Sequence, residues 1–122
     1  MGNSKRTVIL GATTNEDRYA YLAAERLQRY GHDFIPLGLK KGEVLGKTII
    51  NNRPFIPDVD TITLYVGPQH QSDLYSYILS LHPKRVIFNP GTENEELEEI
   101  LEKNGIEPVV GCTLVMLSAG TF

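Results

Sequence analysis

At 122 residues, 41% of them apolar and 22% charged, the chain fits one globular domain with room for a core that needs no disulfide or metal. A net charge of −3 speaks against a general nucleic-acid binder, which needs a basic field, but leaves room for a local cationic pocket. The single cysteine, Cys112, excludes an intrachain disulfide and any zinc site built from several thiolates.

Residues 1–6 carry no long apolar secretory segment and lead straight into Thr7-Val8-Ile9-Leu10, which reads as a buried strand. Gly11-Ala12-Thr13-Thr14-Asn15 follows as a loop. A helical pattern then places Tyr19, Leu22, Ala23, Leu27 and Tyr30 at spacings of three and four. Asn15 is the expected N-cap, and Gly31 stands where such a helix stops. Asp33 to Leu37 reads as a second strand. The stretch from Gly38 to Pro57 reads as a connection with one short extended piece, Thr48-Ile49-Ile50, and holds Lys40, Lys41, Lys47 and Arg53.

Thr61 to Val66 is the next strand and ends at Gly67-Pro68. A helix with Leu74, Ile78 and Leu81 on one face follows. Arg85 to Phe88 is a strand ending at Asn89-Pro90-Gly91. Thr92 and Glu95 have the spacing of a capping box before a helix whose apolar face is Leu97, Ile100 and Leu101. Gly105 ends that helix, and Ile106 to Val110 is the last strand. Cys112 to Leu117 fits either a final helical turn or a strand extension. The run from Val109 to Gly120 is too short to span a bilayer, which takes about 20 residues.

Strands alternating with helices predict an α/β fold: a single Rossmann-like, doubly wound domain over residues 1–122, with a mostly parallel five-stranded sheet. Such sheets bind ligands beyond the carboxyl ends of their strands. Three glycine-bearing loops end there, at 11–15, 67–68 and 89–92. The first combines a tight turn at Gly11, the hydroxyls of Thr13 and Thr14, and a following helix start whose free N–H groups suit a phosphate. Arg18, a cation unfavourable to that helix end, would be offset by a bound anion. Taken alone, the loop reads almost as well as a plain turn with a solvated arginine. The three-glycine dinucleotide fingerprint and the Walker sequence are both missing. After the second strand, where an acidic residue would hold a free ribose, stand Lys40 and Lys41. That favours a ligand with an extra ribose phosphate, so NADP or coenzyme A rather than NAD.

In their order and spacing, several stretches resemble a known family. They are Gly11-Ala12-Thr13-Thr14-Asn15 with Arg18-Tyr19, then Lys40 with Glu43-Val44-Leu45-Gly46, Gly67-Pro68, Asn89-Pro90-Gly91-Thr92, Gly105-Ile106 and Cys112. From Thr7 to about Leu117 the chain resembles the small CoA-binding proteins whose fold matches the nucleotide-binding domain of the succinyl-CoA synthetase alpha subunit. The resemblance implies that Gly11, Ala12, Thr13, Thr14 and Arg18 surround the phosphates. It implies that Lys40 faces the phosphorylated ribose or its adenine end, and that Gly67, Pro68, Asn89 and Pro90 line the path of the nucleotide and pantetheine arm. Two positions depart from the family pattern. Glu16 stands where proline is common, and Gly38-Leu39-Lys40 replaces Asn-Pro-Lys.

The phosphorylated histidine of the synthetases belongs to a separate ligase domain, which has no counterpart here. Of the three histidines only His70 lies near the expected cleft. His32 follows Gly31 and reads as a surface residue or one that suits the negative end of the helix before it. Cys112 has no obvious base beside it, and the run Glu93 to Glu99 reads as a solvated helix face. No catalytic or metal-binding residue is therefore assigned. The expectation is a cytoplasmic module that binds coenzyme A or an acyl-CoA without chemistry of its own. It needs neither nucleic acid nor membrane, and has room for a protein partner or a homodimer. An NADP-type redox enzyme or sensor, and an interaction protein that has lost the ligand, are the alternatives.

Overall fold

The apolar runs of the sequence become the central strands of a parallel sheet, and its periodic stretches become the helices that cover it. The computed structural model describes residues 4–122. In chain order, β1 (Thr7–Leu10) leads to α1 (Tyr19–Arg29) and β2 (Phe34–Leu37). A small antiparallel hairpin of β3 (Glu43–Val44) and β4 (Lys47–Thr48) follows. Next come β5 (Thr61–Leu64), two 3-10 turns at Pro68–His70 and Ser72–Leu74, and α2 (Tyr75–Leu81). The chain closes with β6 (Arg85–Phe88), α3 (Glu95–Lys103), β7 (Glu107–Val110) and α4 (Thr113–Ala119).

The main sheet has five strands in the order β2-β1-β5-β6-β7, every neighbouring pair parallel. Alternation along the strands divides the core into two layers. Val8, Leu10, Ile62, Leu64, Val86 and Phe88 pack against α2 and α3 through Ile78, Leu81, Leu97 and Leu101. Ile9 and Phe34 face the other way, onto Ala20, Ala24 and Leu27 of α1 and Leu117 of α4. Helices thus cover both faces, and the Rossmann-like expectation holds. The undecided segment after β7 is the helix α4.

Both edges of the sheet are blunted by proline. Glu107 N–H donates to Lys84 O and Gly111 N–H to Phe88 O, so odd positions of β7 bond β6 and Pro108 stands at the free edge. On the far side, Pro36 O accepts from Ile50 N–H at 2.9 Å, and Ile50 N–H and C=O together cover β2. A proline offers no N–H for an added strand, so neither edge invites pairing with another chain.

Several local expectations are corrected. The buried face of α1 is Ala20, Ala23, Ala24 and Leu27, while Tyr19 and Tyr30 are exposed. Alanines let the helix sit close to the sheet, and the bulky tyrosines are left at its ends. Asn15 does not cap α1: its Oδ1 accepts from Asp17 N–H in a local turn, and the helix starts at Tyr19. Thr92 does not cap α3: the helix starts at Glu95, and the Thr92 hydroxyl donates to Asn89 O at 2.8 Å inside the preceding turn. Asn94 takes that role, its side chain accepting from Leu97 N–H. Three glutamates in the first turn then suit the positive end of the helix. The extended piece at 48–50 proves to be the second arm of a hairpin and the cover over β2.

Candidate functional site

From β1 the chain crosses through α1 to β2 on one side, then returns past β1 to β5 on the other. The loops after β1 and β5 therefore part company at their strand ends and leave a crevice, the usual place for a ligand in such sheets. A cleft of about 790 Å³ opens there, within the range of small-molecule and cofactor sites.

The floor of the cleft depends on close backbone approach. Gly11 has φ +101°, and a Cβ there would lie 3.0 Å from the carbonyl carbon and oxygen of Tyr65. Gly11 N–H and Ala12 N–H both donate to Leu37 O, at 2.9 and 2.8 Å, which ties this loop to the end of β2. Opposite Ala12 stands Gly38, where a Cβ would meet Ala12 O at 2.6 Å. The residue that departs from the family pattern is thus the one that lets the β2 loop press against the β1 loop. Asn51 secures the same loop from behind, its Nδ2 donating to Gly38 O and Lys40 O at 2.9 Å each.

The electrostatics of the cleft favour an anion. No side chain caps the amino end of α1, and Arg18, Tyr19 and Ala20 at that end line the cleft. Unpaired N–H groups and the helix dipole both attract negative charge there. The cations Arg18, Lys40 and Arg53 all border the cleft, against one carboxylate, Asp73. Arg53 Nη1 donates to Asp73 O at 2.9 Å, which links the connection before β5 to the second 3-10 turn.

Of the residues proposed from sequence, Gly11, Ala12, Thr13, Arg18, Lys40, Gly67 and Pro90 line this one cleft. Thr14, Pro68 and Asn89 are not among its lining residues. Thr14 turns its methyl toward Gly42. Asn89 is buried and works inside the fold: its Nδ2 donates to Thr63 Oγ1 and Leu64 O, and its Oδ1 accepts from Thr113 N–H. That network sets the start of α4. Glu16 is exposed and lies outside the cleft lining, so its charge does not face the helix end from within.

Sequence reasoning placed His70 near the cleft but missed Asn51, Arg53 and the rest of the turns at 69–74. The cleft takes them from the long connection before β5 and from irregular turns, neither of which carries a periodic signal. Tyr65 also borders the cleft, and burial pushes its phenol up to about 12 against the opposing effect of the Thr63 and Thr113 hydroxyls. It is therefore a neutral hydrogen-bonding group at physiological pH. His70 is exposed within the 3-10 turn at the cleft edge, and Cys112 is half-buried just before α4. Among the described residues no group of three His, Cys, Asp or Glu could hold a metal ion, and no helix is long and apolar enough to cross a membrane.

A family model described as a CoA binding domain matches residues 5–118. No curated protein matches the chain. A crystal structure of an uncharacterized protein is 74% identical with a TM-score of 0.98, over 99% of this chain and 100% of that one. A conserved hypothetical protein from Pyrococcus furiosus is 27% identical with a TM-score of 0.80, over 91% of this chain and 97% of that one. A structure from Thermus thermophilus, 23% identical, shares the fold with a TM-score of 0.87 over 98% and 91% of the two chains. With nearly its whole length matched, the chain belongs to the CoA binding domain family.

Proposed function

We propose that the protein binds coenzyme A or an acyl-CoA in the cleft between the β1 and β5 loops, and performs no chemistry of its own. The observation that carries this reading is the meeting of an uncapped helix end, the Gly11 turn and three cations in one cleft of about 790 Å³. Gly11, Ala12, Thr13 and Arg18 surround the phosphates. Lys40 meets the 3′-phosphate of the ribose. Gly67 and Pro90 border the path of the pantetheine arm. The module is of the kind that serves as the nucleotide-binding domain of the succinyl-CoA synthetase alpha subunit. Its lone thiol, which forms no disulfide, suits the reducing cytoplasm.

Isothermal titration with coenzyme A, dephospho-CoA and NADP tests the reading. Coenzyme A should bind with a Kd below about 1 mM, and loss of the 3′-phosphate should weaken binding by about 5–10-fold. Lys40→Ala should remove that difference. Tighter binding of NADP than of coenzyme A would turn the assignment toward a redox enzyme or sensor. Absence of binding by all three would leave an interaction protein that keeps the fold.

A further inference from the structure

Two loops form the wall of the cleft away from the phosphate turn: the one leaving β5 at Val66-Gly67 and the one leaving β6 at Pro90-Gly91-Thr92. No backbone hydrogen bond runs between them. Asn89 Nδ2 ties the strand ends together at Leu64 O, and farther out the Gln71 side chain joins the loops. Gln71 is fully buried, at 0% exposure, and its Nε2 donates to Val66 O and to Thr92 O, each at 2.8 Å. Its Oε1 accepts from Asn94 Nδ2 at 2.8 Å. The amide therefore spends both of its N–H bonds and one lone pair holding the loops at a fixed spacing.

The chain of bonds continues outward. Asn94 Nδ2 also donates to Tyr75 Oη, whose hydroxyl donates to Glu96 at 3.0 Å. Asn94 Oδ1 caps α3. So the clamp is anchored at the start of α2 through Tyr75 and at the start of α3 through Asn94. An uncharged amide is the side chain that can serve both carbonyls at once. A carboxylate would confront them with like partial charge, and an apolar group would leave the buried Thr92 carbonyl and the part-buried Val66 carbonyl without this partner.

We infer that Gln71 is a positioning residue for the ligand: by clamping the loops after β5 and β6 it sets the width of the channel that takes the pantetheine arm. This rests on the binding reading given above. Gln71 is not among the residues that line the cleft at the Gly11 and Lys40 side, where the binding reading puts the nucleotide. Its loss should therefore separate the two ends of the ligand, which a general loosening of the fold would not do.

The test compares coenzyme A with adenosine 3′,5′-bisphosphate, which lacks the arm, on wild-type protein, Gln71→Met and Asn94→Asp. Asn94→Asp keeps the acceptor that caps α3 and removes the donor to Gln71, so it serves where Gln71→Met does not fold. For a folded variant, coenzyme A affinity should fall about tenfold while that for the bisphosphate changes less than twofold. Unchanged affinity for coenzyme A, or equal loss for both ligands, would overturn the inference. If wild-type protein binds neither ligand, the binding reading itself fails, and that outcome is distinct from the other two.

Discussion

Gly11 and Gly38 carry the cleft at the level of single residues. Each stands where another backbone passes too close for a side chain: Tyr65 beside the first, Ala12 beside the second. Gly11 also holds φ +101°, which an L side chain rarely adopts. Gly11→Ala should thus force the β1 and β5 loops apart as well as strain the turn. We expect a loss of about 2 kcal/mol in stability by urea denaturation, and a fall in coenzyme A affinity of at least tenfold. A variant as stable as wild type would show that the loop has slack that the close contact denies. Leu39, 95% exposed beside Lys40, makes no comparable demand on the fold. The departure that matters structurally in Gly38-Leu39-Lys40 is the glycine.

At the scale of elements, β1, β2, β5 and β6 were legible because short, mostly buried runs bounded by glycine and proline leave few other readings, whereas β7, more exposed, was marked by the Gly105 that precedes it. The helices were legible through their spacing, but their faces and caps less so. Tyr19, Leu22, Ala23 and Leu27 share a helical period, yet close packing on a sheet selects the alanine side. Thr92 and Asn94 are both good caps, and only the turn around Asn89 O decides between them. The hairpin β3–β4 and the turns at 68–74 are too short to leave a period at all. His32 shows the same limit at the opposite end of the sheet. Read as a surface residue, it is half-buried, accepts from Lys5 N–H through Nδ1 at 2.9 Å and packs its ring against Phe122 at 4.9 Å. Burial, then the Lys5 and Arg85 cations, hold its imidazole below the ordinary value of 6.5, against the opposing pull of Asp60. The unfolded chain therefore takes up the His32 proton more readily than the folded one. Its contribution to stability is complete above about pH 6.5 and is lost as pH falls through the lower folded value. Chemical denaturation between pH 7.5 and 5 should show this loss, and His32→Asn, which keeps an acceptor for Lys5 N–H, should reduce it. An identical pH dependence in that variant would assign the loss to other groups.

For the whole molecule, charge is segregated. The net −3 owes much to glutamates 93, 95, 96, 98, 99 and 102 in and around α3, whereas the cleft gathers Arg18, Lys40 and Arg53 with one acid. An acidic protein thus presents a locally cationic crevice, which is why net charge excluded nucleic acid as a general partner without excluding a nucleotide. The location of that crevice follows from topology: β1 and β5 are neighbours whose connections leave in opposite directions. A chemical-shift map of the ¹⁵N-labelled protein during titration with coenzyme A tests this most directly. We predict that the perturbed amides fall at Gly11 to Ala20, Gly38 to Lys40, Gly67 and Gly91, all at the carboxyl ends of the strands. Perturbations centred instead on His32, Lys84 and Phe122, at the opposite end, or none at saturating ligand, would contradict the account.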